Sequence, residues 1–137
     1  MPAKPANTAA QGGFFLLVGA TAAAVHFAVL TLAVEYGAIA PLIANVIAFA
    51  VAFCVSFAGH YRLTFRTSGA HWRGSVLRWL AVSLAGFAAN QALFALGLRL
   101  FGADYYQALW FVVTAAVTVF SFLAGKCWAF RHPADSP

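Results

Sequence analysis

The chain has 137 residues, of which 64% are hydrophobic and only 8% charged, with a formal net charge of +5. Soluble domains carry roughly half apolar and a quarter charged residues, so a water-exposed globular fold of this length, which would have to hide most of that surface, is excluded. The cations are confined to short junctions between long apolar runs, an arrangement that points to anionic lipid headgroups and away from nucleic acid.

Residues 1–13 are Ala, Pro, Gln and Gly with one Lys, a composition expected to form a disordered cytoplasmic tail. The first apolar run, residues 14–34, carries small residues four apart (Ala20, Ala24, Ala28; Gly19, Ala23) and has His26 near its middle. It is too long for a signal-peptide core, and Glu35 and Tyr36 after it do not make a cleavage site, so it is expected to stay as a span. Pro41 opens the second run, 41–58, in the first-turn position where a missing N–H costs nothing. That run has its own small stripe, Ala44, Ala48 and Ala52.

The connection from His60 to Val76 is the longest and holds Arg62, Arg66, His71 and Arg73 among aromatic residues. The third run, 77–98, has small residues at Ala81, Ala85 and Ala89 and an adjacent polar pair, Asn90–Gln91. The fourth, 108–124, contains Thr118, and a short tail, 132–137, closes the chain. A hydrocarbon core about 30 Å thick needs about 17–25 helical residues. The four runs therefore predict four transmembrane helices in one membrane domain, 14–131. Cys54 lies inside the second span and Cys127 at the end of the fourth, so neither a disulfide nor a cysteine metal site is expected.

The chain repeats itself. SFAGHYRLTFR begins at Ser56 and SFLAGKCWAFR at Ser121, 65 residues later, each closing an apolar run and turning into basic and aromatic residues. Lys4, Arg62, Arg66, Arg73, Arg78, Lys126 and Arg131 fall on one side of a four-span layout and only Arg99 on the other. The positive-inside rule then puts both termini in the cytoplasm. The expected fold is an all-α polytopic membrane protein of two parallel two-helix repeats, with Tyr61, Trp72, Trp79 and Trp128 as an inner aromatic belt and Tyr105, Tyr106 and Trp110 as an outer one.

Three motifs resemble those of the GtrA-like family. The opening reads Phe15-Leu16-Leu17-Val18-Gly19. One closing motif runs Phe57-Ala58-Gly59-His60-Tyr61-Arg62-Leu63-Thr64-Phe65, the other Phe122-Leu123-Ala124-Gly125-Lys126-Cys127-Trp128-Ala129-Phe130. His60 and Gly125 stand where the family has Asn, and Leu63 where it has an aromatic residue. The resemblance implies a bacterial inner-membrane protein that flips a polyprenyl-phosphate-linked sugar (undecaprenyl phosphate being the usual carrier) to the periplasmic leaflet for envelope polysaccharide synthesis. It also implies a membrane glycosyltransferase as partner. The alternative is a non-transporting anchor or scaffold for that enzyme.

On this reading Arg62, Arg66, Lys126 and Arg131 are the expected phosphate contacts, because guanidinium clamps phosphate through two N–H bonds and Lys meets it as a point charge. Tyr61, Phe65, Trp128 and Phe130 are the motif aromatics at the interface. His26, Asn90, Gln91 and Thr118 are the expected polar path, against the plainer reading that they bond one another between helices. No Ser/His/Asp set, carboxylate pair or phosphate loop is legible, so no enzyme activity, cofactor or metal is expected. Glu35 lies at a helix end, not deep inside, which argues against a drug/proton antiporter. Four short helices enclose little volume, and with the small-residue stripes this leads to an expected working unit that is a homodimer, or a groove open to lipid.

Overall fold

The computed structural model describes residues 8–63 and 72–129. Its regular elements are α1 (Thr8–Glu35), α2 (Pro41–Leu63), α3 (Trp72–Phe101), a 3₁₀ turn (Ala103–Tyr105) and α4 (Tyr106–Ala129), with no strand among the described residues. Leu16–Glu35, Pro41–Gly59 and Leu80–Phe101 are long and apolar enough to cross a bilayer, with mean hydropathies of 2.0, 2.3 and 1.5. Their 19–22 residues reach about 28–33 Å at a rise of about 1.5 Å each. The fourth helix has 24 residues. Leu16, Leu17, Val82, Val112 and Phe120 are each more than 60% exposed. Such surface is stable against lipid and not against water.

Every helix outlasts its apolar run, because the backbone ladder does not stop where hydropathy does. The first begins at Thr8, so the end of the expected disordered tail is helical, and the helix continues through Gly12 and Gly13 into the first span. The second continues to Leu63, through the start of the repeated motif. The third covers Trp72–Phe101, against the 77–98 expected for its span.

The chain divides after Arg78 into two compact units. The first contains the α1–α2 hairpin, and the second contains α4 and most of α3. The duplication read in the sequence is thus the duplication of a helical hairpin.

Each hairpin turn solves the problem of the last helical carbonyls differently. After α1, Gly37 N–H donates to Leu32 C=O (3.2 Å) and Ile39 N–H to Ala33 C=O (3.1 Å), and Ala38 takes φ 50° to reverse the chain. Ala40 C=O then accepts from Ile43 and Ala44, which starts α2 at Pro41. After α3 the reversal falls on Gly102 at φ 94°, a conformation that suits a residue without Cβ.

Packing in the first hairpin rests on the small stripe of α2. Ala44 and Ala48 are fully buried and Ala52 nearly so. Asn45 and Gly59 fix which way that face looks: the one bonds His26 of α1, and a Cβ on the other would sit 3.0 Å from Val18 Cγ1. Ala48 and Ala52 lie between them at helical spacing, so the stripe faces α1. By contrast Ala20, Ala24 and Ala28 of α1 and Ala81, Ala85 and Ala89 of α3 are exposed. Small size alone does not say which stripe a protein uses internally. The outer aromatic belt also differs from expectation: Tyr105 is exposed, but Tyr106 and Trp110 are buried in the protein, Trp110 edge-on to Phe111 at 5.1 Å.

Candidate functional site

Polar side chains inside apolar helices are costly unless they find partners. In the first hairpin His26 and Asn45 meet across the α1–α2 seam, His26 Nε2–H donating to Asn45 Oδ1 at 2.8 Å. Asn45 is wholly buried and His26 almost so. Leu30, also fully buried, lies one turn from His26 on the same face of α1. The pair is therefore enclosed within the protein.

In the second hairpin Asn90 Nδ2–H donates to Thr114 Oγ1 at 3.2 Å, joining α3 to α4. Asn90 is buried, and Thr114 and Gln91 are half-buried. Thr118, one turn beyond Thr114, is exposed. Each hairpin thus carries a side-chain hydrogen bond between its helices. Of the four residues expected along a polar path, His26 belongs to the first unit, and Asn90, Gln91 and Thr118 to the second.

Asn45 and Thr114 were missed in the sequence. Asn45 had a signal, being the one amide in the apolar run of α2, five residues past the turn that returns the chain toward His26. Thr114 had none that distinguishes it from Thr118 on the same helix.

Of the expected phosphate contacts, Arg66 and Arg131 lie outside the described residues, as do Phe65 and Phe130 of the motif aromatics. Tyr61 and Arg62 fall in the last turn of α2, and Lys126 and Trp128 in the last turns of α4. The helices therefore carry each basic motif to the end of its hairpin opposite the turn. Beside the α3–α4 turn is a cleft of about 310 Å³ lined by Phe101, Tyr105, Ala108, Leu109 and Val112. Its apolar walls suit hydrocarbon and offer no recognition of a charged or hydroxylated headgroup. Among the described residues no group of His, Cys, Asp and Glu could hold a metal ion.

Long lipid-facing helices, paired as two hairpins, each tied by a side-chain hydrogen bond and ending in a basic motif, define a four-helix polytopic membrane protein. A family model, that of the GtrA/DPMS transmembrane domain, matches residues 14–130. The chain belongs to this family. No curated protein and no solved structure matches it.

Proposed function

We propose that the protein moves a polyprenyl-phosphate-linked sugar from the cytoplasmic to the periplasmic leaflet of a bacterial inner membrane, for glycosylation of envelope polysaccharide. The observation that carries this reading is the family match over residues 14–130, which spans both hairpins and both copies of the basic motif. The chemistry agrees with it. The carrier's tail stays in lipid, so only one phosphate charge and a set of hydroxyls need the protein's help. Arg62, Arg66, Lys126 and Arg131 meet the phosphate at the inner face, where the excess of cations places both termini. The protein performs no covalent chemistry itself and holds no cofactor or metal; a membrane glycosyltransferase supplies the loaded carrier.

Reconstitution tests this reading. Purified protein in liposomes, with polyprenyl-phosphate glucose in the outer leaflet, is expected to change the carrier's exposure to an impermeant reagent faster than protein-free liposomes do. Equal rates for the two, with the protein shown to be helical and inserted, would refute transport and favour a scaffold for the glycosyltransferase. Two copies with their exposed stripes facing, Ala20/Ala24/Ala28 or Ala81/Ala85/Ala89, make the working unit in this proposal.

A further inference from the structure

The two hairpins share an ancestry in sequence but not a seam. In the first, helix packing continues down from the His26–Asn45 bond. Ala48 and Ala52 are buried, and Gly59 lies so close to Val18 that a Cβ there would stand 3.0 Å from a Val18 methyl. That seam is closed toward the end carrying Arg62.

The second seam behaves otherwise. Two contacts fix its register: Asn90 with Thr114, and Gly97, whose Cβ would lie 3.0 Å from Leu109 Cδ2. Antiparallel helices continued in that register bring Gly86 level with Thr118 and Ser83 level with Ser121. Helical spacing puts Ser83, Gly86, Asn90 and Gly97 on one face of α3, and Thr114, Thr118 and Ser121 on one face of α4. Below the Asn90–Thr114 bond this face is not filled. Thr118 and Ser121 are exposed, Ser83 and Gly86 are half-exposed, and a Cβ built on Gly86 meets nothing within 4 Å.

The hydroxyls there are not used locally. An isolated hydroxyl in an apolar helix can satisfy itself on the carbonyl four residues back, as Thr21 does with Leu17 C=O at 2.8 Å. Among the described residues Ser83, Thr118 and Ser121 have no hydrogen-bond partner. Unbonded hydroxyls facing hydrocarbon are unfavourable, so a seam lined with them is suited to a polar occupant.

We infer that the α3–α4 seam, from Asn90–Thr114 down past Gly86–Thr118 to Ser83–Ser121, is the groove that takes the hydroxylated headgroup of the cargo. The α1–α2 hairpin is the closed, supporting half. The inference rests on the lipid-linked sugar reading above and gives that cargo a location. The seam offers hydroxyls and an amide, which donate to and accept from sugar hydroxyls, and no formal charge. It opens toward the end of α4 that bears Lys126, where the phosphate would be held. Ser121, the first residue of the second motif copy, thereby acquires a role at the groove's mouth.

The test uses two readouts, one of them independent of transport. In a Cys54→Ser/Cys127→Ser background, Ser83→Cys, Thr118→Cys and Ser121→Cys are placed in liposomes beside the off-seam control Val119→Cys. Each is treated with a water-soluble thiol reagent, which needs a hydrated thiolate. The three seam variants should label at least tenfold faster than the control, and added polyprenyl-phosphate glucose should slow them alone. Labelling of all four at one rate would overturn the inference, whatever the transport assay gives. The second readout compares Gly86→Leu, which fills the seam, with Val119→Phe on the exposed, off-seam side of α4. The first should lower carrier movement at least tenfold and the second leave it unchanged. Equal movement in both would also overturn the groove while leaving transport intact. No movement even in the wild-type protein would refute the functional reading; the labelling, with its protection by the carrier, would then decide the groove alone.

Discussion

Asn45 is the residue whose loss the first hairpin should feel most. It is fully buried, and its side-chain oxygen accepts from His26 at 2.8 Å. Cross-helix hydrogen bonds inside membranes average ~0.6 kcal/mol in double-mutant cycles and reach ~1.7 kcal/mol. A short bond between two enclosed groups belongs in the upper half of that range, so a coupling of about 1 kcal/mol is expected between Asn45→Ala and His26→Ala. Asn45→Ala alone should cost about 2 kcal/mol, since it also leaves the His26 N–H buried without that acceptor. The assay is reversible unfolding in mixed micelles, followed by helicity, for the wild type, both single variants and the double variant. The double variant should be more stable than the sum of the single losses predicts, by the coupling energy. A coupling below ~0.3 kcal/mol, the usual scatter of additive sites, would show that the pair does not hold the helices together.

Further outcomes follow from the packing and the turns. Gly59→Leu should destabilise the first hairpin by about 1–3 kcal/mol through overpacking against Val18, and Val18→Ala should restore part of it in the same unfolding assay. Gly102→Ala should cost about 1–3 kcal/mol, because φ 94° with ψ 161° is a conformation essentially confined to glycine. Ala38→Gly should be neutral or slightly stabilising: relief of a left-handed alanine, ~1 kcal/mol, is offset by ~0.4–1 kcal/mol of added unfolded-chain entropy. Crosslinking in lipid of Ala24→Cys or Ala85→Cys, in the cysteine-free background, should yield a dimer through one exposed stripe; monomer from both would remove the dimer.

Hydropathy carried most of the fold. Run length marked the spans, and the repeat at Ser56 and Ser121 marked the two hairpins, because a lipid-facing helix must be apolar over its whole length. Helix ends were less legible: Thr8 and Trp72 lie outside the apolar runs, where hydrogen bonding alone decides. The use of the small stripes was not legible at all. Ala44/Ala48/Ala52 and Ala81/Ala85/Ala89 have the same spacing, yet the first is buried and the second exposed. That distinction depends on a partner helix and not on local composition. His26 and Asn90 stood out as polar residues in apolar runs, but their partners came from other helices. The open seam below Asn90 shows only when Gly86 is set level with Thr118, and Ser83 with Ser121, by the Asn90–Thr114 and Gly97–Leu109 contacts.

The central claim, transport of a lipid-linked sugar, is tested most directly by carrier movement in liposomes with the wild type, Arg62→Ala and Lys126→Ala side by side. The account predicts movement well above protein-free liposomes for the wild type and a loss of at least tenfold in each variant. Movement retained in both variants would contradict the phosphate contacts and reduce the basic motifs to topology signals. Movement absent from an inserted, helical wild-type protein would contradict transport itself.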